Sequence, residues 1–170
     1  SKVAGAAGYL ALNVSGTAVP GAVATRFKYV APGATLAVND ADLARLPELH
    51  RGQLLLVQEG LDGVVIAATR LQSAGALDDL YAAAQNIPDL GATPSARQTG
   101  FKLWAPTARQ VALCTYDSAT GKAGAVQQMA LEPNTGAWSA SLPRDLSGTY
   151  YKYAVDVVVP GAGLVRNLVT

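Results

Sequence analysis

Between Tyr150 and Val159 the side chains alternate: Tyr151, Tyr153, Val155, Val157 and Val159 are apolar or aromatic, whereas the even positions include Lys152 and Asp156. Successive side chains of a strand point to opposite faces, so a period of two predicts a strand with one face in a core. Trp138, Ala140 and Leu142 alternate with Ser139 and Ser141 in the same way, after an Asn134-Thr135-Gly136 turn. That phase makes Trp138 a core residue. Upstream, Gly100–Asp117 reads as two strands joined by a bend at Pro106. Trp104 is out of phase there with Phe101 and Leu103, so if those two face inward its ring turns toward solvent or a domain interface. Strands at this spacing with Gly or Pro turns predict a small immunoglobulin-like sandwich.

The first half is expected to hold a second module. Tyr9–Val14 and Ala24–Val30 read as strands separated by the Ser15-Gly16 and Pro20-Gly21 turns. Asn39 is placed to cap a short helix over Asp40–Leu46, which Pro47 ends. Leu54–Glu59 and Val64–Thr69 flank Gly60-Leu61-Asp62-Gly63 as the arms of a hairpin, with Asp62-Gly63 supplying positive φ. Both arms are nearly continuous in apolar character, which predicts strands covered on both faces, by the second sheet of a sandwich or by a neighbouring domain, with the sandwich expected. Leu77, Leu80, Tyr81 and Ala84 recur at helical spacing, so Ala76–Gln85 is read as a short amphipathic helix docked at the domain junction. Pro88, Gly91 and Pro94 interrupt Ile87–Thr99, where the boundary is set. The expected fold class is all-β: two immunoglobulin-like β-sandwich domains in tandem, 1–90 and 98–170, with a short helix near the junction.

Composition narrows the function classes. Half of the 170 residues are hydrophobic, enough for packed cores, and 13 basic residues nearly cancel 12 acidic ones. No field of one sign attracts nucleic acid or an anionic membrane, and no apolar run reaches the roughly 20 residues of a membrane span. With one cysteine, Cys114, and one histidine, His50, the chain lacks clustered soft ligands, so no metal site and no cofactor are expected. Cys114 sits inside a strand pattern and is read as a buried, inert thiol, and His50 as an exposed loop residue.

Catalytic residues are not expected either. Glycoside hydrolysis needs two carboxyl groups facing each other across about 5 to 9 Å. The adjacent Asp78 and Asp79 point in directions roughly 100° apart on a helix, and are read as stabilising its N-terminus. Carbohydrate recognition is the chemistry left to weigh, because aromatic rings stack on sugar faces while polar neighbours bind hydroxyls. The candidates are Trp104, Tyr116, Tyr150 and Lys152, with Trp138 set aside for the core.

Three motifs in order carry a resemblance to a known family: Leu71–Ala82, then Phe101 with Trp104-Ala105-Pro106, Ala108 and Val111, then Tyr150–Val155. They resemble the N-terminal non-catalytic domains, including the family 48 carbohydrate-binding-module-like sandwich, of pullulanase-type debranching enzymes in glycoside hydrolase family 13. The resemblance implies a catalytic barrel beyond Thr170, as the partner this chain supports, and a further strand ahead of Ser1. It reserves any calcium for that barrel and implies a secreted, periplasmic or cell-surface bacterial protein, an intracellular one being left open. Lys152 matches a glucan-binding lysine of the module family, so Lys152, Tyr150 and Tyr116 become a weak site for α-glucan such as starch, glycogen or pullulan. The loops after Tyr116 and Val159 lack the family's tryptophan platform. Trp104, Pro106 and Tyr81 are then the domain-interface candidates. An autonomous starch-binding module and a cell-surface interaction domain remain the alternatives.

Overall fold

The structure is a computed structural model, and it describes residues 3–30, 33–71 and 73–170. Gln72, inside the first of the three motifs, lies outside them. In chain order the elements begin with strand β1 (Leu12–Ser15), helix α1 (Gly21–Arg26) and strand β2 (Thr35–Val38). A 3-10 helix over Asp40–Arg45 then leads into helix α2 (Leu46–Leu49). Strands β3 (Leu55–Glu59) and β4 (Val65–Arg70), helix α3 (Ala74–Leu80) and a second 3-10 helix over Ala82–Asn86 follow. The remainder is β: β5 (Gly91–Pro94), β6 (Thr99–Trp104), β7 (Gln110–Tyr116), β8 (Ala125–Gln128), β9 (Ala130–Glu132), β10 (Ala137–Leu142), β11 (Tyr150–Val159) and β12 (Gly163–Val169). The all-β class holds, with short helices beside the junction.

Two compact units emerge: one comprises the chain up to Leu46 with Val57–Ala68, the other Pro47–Leu56 with Thr69–Thr170. In the first, β1 pairs antiparallel with β2, and Asn13 Nδ2 donates a short hydrogen bond to Asn39 Oδ1. That bond is why Asn39 does not cap the following helix with its side chain, as its position suggested. Pro47 lies inside α2 rather than ending a helix, consistent with proline's tolerance for a first helical turn. The strand expected over Ala24–Val30 is replaced by α1. Pro20 precedes it with φ already near the proline value, alanines at 22 and 24 favour helix, and Thr25 Oγ1 bonds back to the Gly21 carbonyl at 2.8 Å.

β3 and β4 form a two-stranded sheet, the predicted hairpin. Gly60 N–H donates to the Val64 carbonyl and Gly63 N–H to the Gly60 carbonyl, and Gly63 alone takes positive φ, +75°. The expected cover on both faces is not found: every residue of β4 is exposed. No described residue of the first unit is buried at all.

The second unit contains a sandwich of two four-stranded sheets, ordered β5-β6-β10-β9 and β12-β11-β7-β8. Phe101, Val111, Leu113, Met129, Trp138, Tyr153 and Val155 fill the space between them. The alternation read from the sequence sets this arrangement, since Tyr151, Tyr153 and Val155 face inward and Lys152 outward. Phe101, Tyr151 and Tyr153 meet edge to face, with centroids 5.1 and 5.5 Å apart. The buried indole of Trp138 donates to the Ala105 carbonyl at 3.0 Å, so its polar atom is satisfied. β5 falls in the segment read as linker. An edge strand accepts Gly91 and Pro94 because one side of it needs no ladder hydrogen bonds.

Candidate functional site

The sequence candidates Tyr116, Tyr150 and Lys152 come together on the outer face of the β12-β11-β7-β8 sheet. Tyr150 lies directly opposite Tyr116 across the β11–β7 pair, and Lys152 opposite Cys114. Directly opposed Cβ atoms sit about 4.5–5.5 Å apart, so the two tyrosines are neighbours with Lys152 one outward position further along. Tyr150 is 55% exposed, Lys152 is exposed, and Tyr116 packs half-buried on Ala112, Cys114 and Ala154. Cys114 is buried, as expected.

Sequence reasoning missed two apolar members of this face, Val126 and Leu168, both exposed. Val126 pairs with Cys114 on β8, and Leu168 with Ala154 on β12. β8 has only four residues and β12 is exposed at all but one position, so neither shows a buried alternation, and the register reveals which way they face. At the far end of the face the Arg166 guanidinium grips the buried Asp156 carboxylate, Nε to Oδ1 and Nη2 to Oδ2, both at 2.7 Å. The bonds from Arg166 hold the Asp156 carboxyl below its usual range, and the same pairing raises Arg166. On the core side, burial pushes the Tyr153 phenol well above its ordinary value, with Tyr151 adding to the effect. Its hydroxyl reaches the Lys102 carbonyl at 3.4 Å.

The docking candidates separate. Tyr81 and Pro106 are buried within the second unit, both against Gly136. Leu77, Leu80 and Ala84 are half-covered on the same helical face, as their spacing predicted. Trp104 keeps 40% of its surface exposed, and its indole N–H is committed to the Thr135 carbonyl at 2.8 Å. His50 is buried rather than exposed, because Leu46, Pro47, Leu49 and His50 share the covered side of α2. Asp78 and Asp79 fall in the last turn of α3, which starts earlier than expected, and so do not serve its N-terminus. Among the described residues no group of three or more His, Cys, Asp or Glu is placed to hold a metal, and no helix is long and apolar enough to cross a membrane.

Residues 1–79 match the Pullulanase N2 domain family, and residues 89–167 match Carbohydrate-binding module 48 (Isoamylase N-terminal domain). Pullulanase from Klebsiella pneumoniae is 36% identical over 156 residues, which is 92% of this chain and 14% of that protein. Chloroplastic pullulanase 1 from Arabidopsis thaliana is 34% identical over 113 residues, 66% of this chain and 11% of that one. The crystal structure of Klebsiella pneumoniae pullulanase complexed with maltotriose superposes with a TM-score of 0.82 at 34% identity, covering 95% of this chain and 15% of that one. The chain thus spans about a seventh of the length of the bacterial relative, given the 14% share. In sequence and in fold it belongs to the N-terminal domain families of pullulanases, a Pullulanase N2 domain followed by a carbohydrate-binding module of family 48.

Proposed function

We propose that this chain is a non-catalytic N-terminal part of a pullulanase-type α-1,6-glucan debranching hydrolase, which packs against and supports the catalytic barrel of that enzyme. One observation carries the reading: no described residue of the first unit is buried, yet it exposes Leu61, Val64, Val65 and Ile66 on one hairpin. A module without its own core needs apolar surface from elsewhere, and each aliphatic side chain covered contributes about 1.5–3 kcal/mol. The relatives are several times longer than this chain, which leaves room for a partner that supplies it. The test is Ile66→Asp in the parent enzyme, which is expected to lower its unfolding temperature and its activity on pullulan. An unchanged melting profile would refute the docking role.

A second reading, an autonomous starch-binding module, is favoured by the pairing of Tyr150 with Tyr116 beside the exposed Lys152. Two phenol rings and an ammonium group give stacking surface and hydrogen-bond donors to an α-glucan. On this reading the chain captures α-glucan by itself through these three side chains; in the supporting role the same contact, without a tryptophan to reinforce it, is weak and only holds substrate near the barrel.

A further inference from the structure

The opposite sheet of the sandwich carries polar features that the docking and β11-face readings leave unused. Its outer face opens into a groove of about 720 Å³ whose lining includes Asp89, Gln98, Lys102, Ser139 and Ser141. Lys102 Nζ donates to both carboxylate oxygens of Asp89, at 2.7 and 2.8 Å, so the groove holds a fixed donor and acceptor with no net charge. Ser139 faces Lys102 across the β10–β6 pair, and Ser141 faces Gly100. Gly100, Lys102 and Trp104 alternate outward along β6, which sets the tryptophan two residues, about 6.8 Å, from Lys102 on the same face. Because its N–H is bound to the Thr135 carbonyl, what Trp104 exposes is an oriented apolar ring.

We infer that this groove, continued along β6 by the exposed ring of Trp104, which stands just beyond its lining, is a second binding site for a neutral oligosaccharide. Hydroxyl and amide groups that both donate and accept suit sugar hydroxyls, and an ion pair can bridge two adjacent ones. An anionic or cationic ligand gains nothing from a compensated pair. A peptide strand laid over the centre of the groove finds no free ladder, since the backbones of β6 and β10 are paired on both sides and only β5 and β9 have a free edge. The site is independent of the β11 face, which belongs to the other sheet.

The test is titration of the isotope-labelled 170-residue chain with maltotriose, following backbone amide shifts, alongside Ser139→Gln and Lys152→Ala variants. The expected result is concentration-dependent shifts at Gly100, Lys102 and Ser141 and at the Trp104 indole. Ser139→Gln, which fills an open position, should weaken that response about tenfold, whereas Lys152→Ala should leave it intact. Shifts confined to Tyr150 and its neighbours, or groove shifts unaltered by Ser139→Gln, overturn the inference while sparing the β11 face. Absence of shifts on both faces at millimolar maltotriose overturns both sugar sites. A collapsed spectrum of Ser139→Gln is replaced by Trp104→Ala, whose retained groove shifts would equally overturn it.

Discussion

Arg166 and Asp156 face each other across the β12–β11 pair and close a two-point ion pair, with both N–H···O distances at 2.7 Å. The contact joins the edge strand β12 to the centre of its sheet by planar, charge-assisted bonds. Arg109 adds a backbone N–H to the Asp156 carbonyl at 2.7 Å, so the same residue also ties down the bend before β7.

Acid should therefore loosen this edge. The Asp156 carboxyl titrates lower in the folded chain than its unfolded value near 3.9, so its stabilisation is complete above about pH 4. It is lost as the pH falls through the lowered folded value. Asp145, held down by the Ser147 hydroxyl and N–H, acts in the same direction. Denaturant unfolding of the chain at pH 6 and pH 3 is expected to show a lower midpoint at pH 3, with a smaller drop for Asp156→Asn.

Gly136 is expected to tolerate no side chain. Its φ is +67°, and a Cβ would come within 2.6 Å of Pro106 Cβ and 3.0 Å of Tyr81 Cδ1. The left-handed backbone alone costs a non-glycine residue about 1–3 kcal/mol, and the contact with buried Pro106 adds to it. Gly136→Ala should lower the thermal midpoint of the chain and raise the amide exchange rate of α3, because Tyr81 has to move. Protection of α3 equal to the parent chain would show that Tyr81 does not depend on this contact.

These elements show how far the sequence could be read. Alternation found the core strands because β6, β10 and β11 each turn one row of alternating apolar side chains into the core, and helical spacing at Leu77, Leu80, Tyr81 and Ala84 found the covered side of α3 and the turn after it. Where no face is buried, pattern gave no guide: Ala24–Val30 has β-prone residues, but local helix signals at Pro20, Ala22 and Ala24 decide. His50 went astray because its burial depends on how a four-residue helix is seated. β5 escaped because Gly91 and Pro94 mark a break in most strands but are admitted at an edge. The Tyr116–Tyr150–Lys152 cluster needed both motif resemblance and register, since 34 positions of chain separate the two tyrosines.

Lys152→Ala should weaken α-glucan binding on the β11 face and leave the fold intact, as the side chain is exposed. Calorimetric titration with β-cyclodextrin is expected to show a weak heat for the parent chain, reduced about fivefold or more in affinity by the substitution, or roughly 1 kcal/mol. Equal heats from the two proteins would remove Lys152 from the site.

The docking role can be tested most directly by adding the purified chain in trans to the catalytic portion of its parent enzyme and recording the thermal unfolding of that portion. A partner that binds only the folded state raises its midpoint with concentration. The account predicts such a rise, reversed when Ile66→Asp is carried by the added chain. A midpoint that stays fixed at every concentration, with pullulan hydrolysis equally unaffected, would contradict it.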